Sequence, residues 1–249
     1  MPRPRFFFAT SRRARVPEAR VPALAAWLDA DPILDRPLPR DRPGLVLDGR
    51  GLCLYTPGQK PHLWHPGMAH RRLRLAVDPL VRLLDLRRGE SALDCTLGLG
   101  HDALVLATAG ARVLALETFA PMLAFTLTGL AAHSLAGRRV HARRVDHAAW
   151  LAAAPDRSFD HVYLDPMFPP DQGGPSTTWS MLRTFAVGPR LTDAVLRDAL
   201  RVARRTVVLK LAPDEPAPDL PGAPPLTVEG SNRVHYGVWR VANRPGQPA

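Results

Sequence analysis

Residues 92–117 read ALDCTLGLGHDALVLATAGARVLALE. A short apolar run, Ala92-Leu93-Asp94-Cys95, carries a carboxylate one residue before its end and is followed by a turn containing Gly98 and Gly100. Residues 102–109 have the composition of a helix, and residues 112–117 form a second apolar run that ends in Glu117. Strand, tight loop, helix and strand in this order make a βαβ unit, whose two strands pair in parallel because the helix carries the chain back to the sheet. The pattern repeats downstream. A helix over about 119–132 precedes a strand at 140–145, a short helix precedes a strand at 160–164, and a long helix over about 191–204 feeds a strand at 206–211. Upstream, the apolar spacing predicts a helix over 73–86. After a proline-rich loop at 212–225, two last strands are expected near 226–229 and 235–241. The fold class is therefore α/β, with a doubly wound parallel sheet.

Residues 1–65 have a different texture and are expected to form a small α+β accessory unit, leaving 66–249 as the main domain. Residues 6–10 suit a strand, and 17–30 place Val21, Leu24, Ala25 and Leu28 on one helical face. Leu45-Val46-Leu47, the turn Asp48-Gly49-Arg50-Gly51 and Leu52-Cys53-Leu54-Tyr55 read as a β-hairpin. The first ten residues, MPRPRFFFAT, contain an apolar run too short for the core of a secretory signal. The arginine-rich, acid-free start also fits an organellar transit peptide, but a cytoplasmic location is the expectation. No apolar run approaches the ~20 residues of a membrane helix, so no membrane partner is expected.

Of 249 residues, 46% are hydrophobic and 22% charged, as in an ordinary globular protein. The formal net charge is +10, and only Lys60 and Lys210 are lysines among 33 basic residues. Such a balance points to a polyanionic partner, to which counterion release contributes affinity, with a plain solvated basic surface as the alternative. Two cysteines, Cys53 and Cys95, are too few for a disulfide framework and read as reduced thiols. Nothing in the chain calls for an obligate protein partner.

In doubly wound sheets ligands bind beyond the carboxyl ends of the strands, where the strand order reverses. Three segments should meet there. In the first, Gly98 and Gly100 let the backbone approach a ligand, and the helix after them offers free N–H groups. The spacing Gly98-x-Gly100-x-x-Ala103 also fits the dinucleotide fingerprint, which is weak evidence by itself. In the second, Glu117 stands 19 residues beyond Gly98, suited to ribose hydroxyls. These two fit a nicotinamide enzyme and a methyltransferase equally. The third, Asp165-Pro166-Met167-Phe168-Pro169 after the strand 160–164, separates them. It is similar to the Asp-Pro-Pro-Tyr loop of methyltransferases that modify exocyclic amines. Asp165 and the Pro166 carbonyl can accept hydrogen bonds from an amine, and Phe168 can stack on the base that carries it. Asp-Pro after a strand is also ordinary turn chemistry.

The stretches LDCTLGLGHDALVLA (93–107), VYLDPMFP (162–169) and VGPRLTDAVLRDALRVARRTVVLKLAP (187–213), with LYTPG and HPGMAHRR upstream, resemble the RsmJ-type class I methyltransferases over roughly residues 45–240. LDCTLGLG and HPGMAHRR are most similar to a less characterised branch of that family. The resemblance implies a Rossmann-like methyltransferase sheet and S-adenosyl-L-methionine as cofactor, with N2 of a guanine in small-subunit ribosomal RNA as acceptor. It further implies that Asp94, Thr96, Gly98, Gly100, His101 and Asp102 line the methionine end of the cofactor. Glu117 and Thr118 would then meet the ribose, and Asp146 and His147 the adenine. Asp165 would stand at the reacting centre with Pro166 and Phe168. The loop 170–178 has no lysine, where RNA-modifying members carry several.

His70-Arg71-Arg72 is expected to contact phosphate or substrate at the cleft mouth, against a plain surface turn as the alternative. His62, His65 and His70 could suggest a metal, but Pro66-Gly67 interrupts any single helix that would present them, and no metal is expected. Cys95, ending a buried strand without an evident base, is a poor nucleophile. Residues 206–210 read mainly as a core strand, with Lys210 at its tip as a candidate site residue. Two further possibilities stay open: a methyltransferase acting on an amine of DNA, protein or a small molecule, and a non-catalytic RNA-binding or ribosome-assembly factor.

Overall fold

The computed structural model describes residues 6–14, 16–34, 37–166, 191–211, 216–231 and 234–241. The N-terminal part holds a five-stranded sheet made of β1 (Phe7–Thr10), β2 (Asp31–Ile33), β3 (Gly44–Asp48), β4 (Gly51–Tyr55) and β5 (His62–Leu63), in the order β2-β1-β3-β4-β5. Helix α1 (Val21–Trp27) packs on it, and β3 and β4 are the expected hairpin, with Asp48 opposite Gly51. Strand β2 was not foreseen, because Pro32 argues against a strand; at the sheet edge it is tolerated.

Two short helices follow, α2 (Gly67–Arg72) and α3 (Pro79–Leu84). They replace the single helix expected over 73–86. Asp78 is extended (φ −70°, ψ 138°) and its carboxylate accepts from the Leu80 N–H at 2.9 Å, so it caps a helix that can begin only at Pro79. A residue before proline is disfavoured in the helical region, which bars continuity with α2.

The second sheet comprises β6 (Ser91–Asp94), β7 (Arg112–Glu117), β8 (His141–Arg144), β9 (Phe159–Leu164), β10 (Ala203–Leu211), β11 (Leu226–Ser231) and β12 (Val234–Arg240). The order is β11-β12-β10-β9-β6-β7-β8. All neighbours from β10 to β8 pair in parallel, while β12 runs antiparallel between β10 and β11. Helices α4 (His101–Thr108), α5 (Ala120–His133), α6 (His147–Ala153) and α7 (Asp193–Val202), with three short 3-10 helices (Arg12–Ala14, Glu18–Arg20 and Gly137–Arg139), complete the described elements. Alternate strand residues feed two cores. Ala92, Val113, Ala115, Tyr163 and Val208 pack against α3, α4 and α5; Leu93, Leu116, Val162, Val207 and Trp239 pack against α6 and α7. Both faces are thus covered, as a parallel sheet requires.

Helix α5 is apolar nearly all round. Its Leu123 and Leu130 join the large-sheet core, and Met122 and Phe125 join Phe6, Phe8, Leu45 and Leu54 of the N-terminal sheet. A helix without a polar face needs cover on two sides, and the two sheets supply it. No helix among the described residues is long and apolar enough to cross a membrane.

Candidate active site at the switch point

The chain leaves β6 toward β7 and β8 on one side, and β9 and β10 build the other side, so the strand order reverses between β6 and β9. Because β8, β7, β6, β9 and β10 are parallel, their carboxyl ends set Asp146, Glu117, Asp94, Asp165 and Lys210 side by side along one edge of the sheet.

Asp94 ends β6 and is 1% exposed. Its Oδ1 accepts from the Thr96 N–H at 3.0 Å, while Oδ2 is buried with no hydrogen-bond partner. Burial first, then the nearby Asp102 carboxylate, push its carboxyl up to about 8. Gly98 (φ +47°) donates its N–H to Glu117 Oε2 at 3.3 Å, and its carbonyl accepts from Thr126 Oγ1 at 2.6 Å. Gly100 (φ +69°) caps α4; a Cβ there would lie 2.7 Å from Thr126 Cγ2 and 2.9 Å from Leu130 Cδ1. Position 100 therefore demands glycine on two counts, conformation and space. Glu117 also accepts from the Phe119 N–H at 2.9 Å, so its carboxylate is held by the backbone on both sides of the loop. Thr118 is partly exposed beside it. The Val145 N–H donates to the Glu117 carbonyl, which brings the next loop alongside; there Asp146 caps α6 by accepting from Ala149 N–H at 3.0 Å, and burial lowers the His147 pKa.

Asp165 follows β9. Its N–H donates to Thr96 Oγ1 at 2.8 Å, and its Oδ2 accepts from Lys210 Nζ at 2.6 Å. Burial lifts its carboxyl to about 6, with Lys210 opposing and Asp102 adding to the rise. Asp102, in the first turn of α4, pairs with Arg72 and accepts from the Tyr163 hydroxyl at 3.1 Å. Burial would raise Asp102, but Arg72 and Lys210 outweigh it and hold the carboxyl low. Arg72 also makes a two-pronged contact with Asp78 at 2.8 and 2.9 Å. The three residues expected at the mouth thus divide: His70 and Arg71 are exposed, whereas the Arg72 guanidinium turns inward to Asp78 and Asp102. Phe168 and the loop 170–178 lie outside the described residues.

Trp64 and Tyr163 are contributors with no local signal in the sequence, and His101, named there for the cofactor, takes a partner that the sequence does not show. Trp64 Nε1 donates to the Leu99 carbonyl at 2.9 Å, and its ring fills the space over Gly129, where a Cβ would come within 2.1 Å of Cγ. His101, its pKa lowered by burial, meets the His65 carbonyl at 3.0 Å, and its ring abuts Gly67 (φ +47°). Tyr163 reads in sequence as one more apolar strand residue. Each owes its position to a partner far away in the chain, which no local pattern signals. Among the described residues no three His, Cys, Asp or Glu side chains gather as metal ligands; His65 Nδ1 accepts from Gly67 N–H, and His70 lies against Arg74. Burial, with Asp94 beside it, raises the Cys95 thiol pKa well above its ordinary value, the reverse of what a nucleophile needs.

S-adenosyl-L-methionine fits these residues. The glycine turn is open to close approach, Glu117 is backbone-anchored at the next strand end, and Asp94 has a buried oxygen without a partner, suited to a cationic group. Sheet order and site together define an adenosylmethionine-dependent methyltransferase. Residues 63–240 match the family described as "Putative SAM-dependent methyltransferase", and the chain belongs to that family. It is similar to the uncharacterized protein YpiP of Bacillus subtilis, 33% identical over 186 residues, covering 68% of this chain and 71% of that one. It is similar also to the ribosomal RNA small subunit methyltransferase J of Alkalilimnicola ehrlichii, 32% identical over 245 residues, covering 89% of this chain and 91% of that one. The fold is shared with a SAM-dependent methyltransferase of Neisseria gonorrhoeae, with a TM-score of 0.67 at 20% identity over 97% of each chain.

Proposed function

We propose that this protein methylates the exocyclic N2 of a guanine in small-subunit ribosomal RNA. The observation that carries the proposal is the placement of Asp165 at the switch point, its backbone tied to Thr96 and its carboxylate partly open. The relatives named ribosomal RNA small subunit methyltransferase J supply the substrate class.

In this scheme Asp94, Thr96, Gly98, Gly100, His101 and Asp102 hold the methionine end of the cofactor. Glu117 and Thr118 hold the ribose, and Asp146 and His147 border the adenine. The cofactor supplies an electrophilic methyl group on a sulfonium. Asp165 and the Pro166 carbonyl accept hydrogen bonds from the acceptor N–H, which turns the nitrogen lone pair toward that methyl. With the cofactor bound, the acceptor nitrogen would take the methyl, S-adenosylhomocysteine would leave, and the proton lost from the amine would pass to water. The guanine N2 lone pair is delocalised into the ring, so these hydrogen bonds strengthen as positive charge develops on nitrogen. Holding the reacting atoms about 3 Å apart supplies most of the acceleration. The base must leave its stack to enter, with Phe168 assigned to stack on it. His70 and Arg71 meet phosphates, residues 1–65 serve as an accessory unit beside the catalytic residues 66–249, and the protein works in the cytoplasm, where its substrate is.

Purified small subunits, naked ribosomal RNA, tRNA and DNA from cells lacking the gene would be incubated with tritiated adenosylmethionine, and labelled nucleosides identified by mass spectrometry. N2-methylguanosine in ribosomal RNA, lost in Asp165→Asn with cofactor binding retained, is the expected result. Label elsewhere, or full activity of Asp165→Asn, would overturn the substrate or the role of Asp165 respectively.

A further inference from the structure

The parallel register of β9 and β10 sets Leu164 opposite Leu209, so the next residues, Asp165 and Lys210, emerge together at the sheet edge. Lys210 Nζ lies 2.6 Å from Asp165 Oδ2, and both side chains are 22% exposed. Asp165 is thus gripped at two points, its N–H by Thr96 Oγ1 and one carboxylate oxygen by Lys210. Among the described residues the carboxylate is bonded through Oδ2 to Lys210, and the side chain as a whole is 22% exposed. We infer that Lys210 is a positioning residue that acts through Asp165, keeping the carboxylate ionised and turned so that Oδ1 can only accept a hydrogen bond. The consequence is selectivity: a carboxylate that can only accept admits an acceptor atom bearing N–H and rejects a carbonyl or ring nitrogen without one.

The inference rests on the role given to Asp165 above. Among the described residues the charged and titratable groups around Asp165 are Asp94 from β6, Asp102 from α4, Arg72 from α2, Tyr163 from β9, and Tyr236 from β12, paired with Lys210 in register. The Asp102 carboxylate opposes ionisation of Asp165, Arg72 favours it, and Lys210 is the cation in direct contact; Asp94, its own carboxyl raised to about 8, is pushed up in turn by Asp165. Desolvation cancels much of the stability that a partly buried ion pair gains, so the pair's main effect is on geometry and ionisation.

Two readouts separate this role from a structural one. Protein labelled with 13C at the aspartate carboxyls would be titrated by NMR as wild type, Lys210→Met and Lys210→Arg, the Asp165 signal being the one absent from Asp165→Asn. In parallel, kcat for tritium transfer to small subunits would be followed from pH 5 to 8. In Lys210→Met the Asp165 midpoint should move up, the acid limb of kcat should move up with it, and kcat at pH 7 should fall about ten-fold or more with adenosylmethionine affinity unchanged. Lys210→Arg should restore the midpoint. An unmoved midpoint in Lys210→Met would overturn the inference, as would a moved midpoint without a moved kcat limb. If Asp165→Asn were fully active, or if wild type labelled no small subunit, the proposed function would fall instead, while the carboxyl titration would still decide the pairing.

Discussion

Asp94 shows how one residue ties the site to the stability of the whole chain. Its carboxyl sits near 8 when folded, against 3.8 ordinarily. Between those values the folded protein holds a proton that the unfolded chain has lost. Its contribution is therefore full below about pH 4 and drains away as pH rises toward 8. Asparagine keeps the oxygen that accepts from Thr96 and cannot ionise. Asp94→Asn should thus gain on wild type by on the order of 1–3 kcal/mol between pH 5 and pH 7, measured by urea unfolding at each pH. Parallel stabilities for the two proteins would show that Asp94 titrates normally. At this scale much was legible in advance. Gly98, Gly100, Glu117 and Asp165 declare themselves because a positive φ, or a carboxylate at a strand end, is a property of a few consecutive residues. Tyr163 and Trp64 do not, since their hydroxyl and indole find partners 61 and 35 residues away.

Among the elements, the segment from β5 to α3 has the largest role that the sequence hid. Asp78-Pro79 is a visible cap and breaker, yet the apolar spacing across 73–86 suggested one helix. The break matters, because it makes α2 a separate piece that packs its buried Ala69 toward α4 and sends Arg72 to Asp102. Just before it, Trp64 bonds the Leu99 carbonyl and so braces the glycine turn. Trp64→Phe keeps most of the apolar contact but removes the donor. It should cost about 1 kcal/mol in thermal or chemical unfolding and weaken adenosylmethionine binding several-fold by calorimetry. Unchanged cofactor affinity would mean that the turn is held by Thr126 and Glu117 without Trp64.

Viewed whole, the molecule is two sheets sharing one helix. Met122 and Phe125 of α5, 3% and 2% exposed, are covered by the N-terminal sheet. Deleting residues 1–60 should leave 61–249 aggregated or strongly dye-binding in light scattering and fluorescence; a monomeric, cofactor-binding fragment would show that α5 tolerates water. The net charge of +10 acts at the same scale. Binding to ribosomal RNA should weaken steeply between 50 and 200 mM salt, and Arg71→Ala should reduce the log–log slope by about one. An unchanged slope would remove Arg71 from the phosphate contacts. The sequence by itself determined the repeating strand–loop–helix units, the glycines of the turn and the carboxylates at the strand ends. Periodicity and backbone freedom belong to neighbouring residues, and so they can be read there. Only the tertiary structure decided that α5 is shared, that Arg72 faces Asp102 and that Lys210 grips Asp165. Burial in a low dielectric couples charges by distance in space, and these pairs lie 30 and 45 residues apart along the chain.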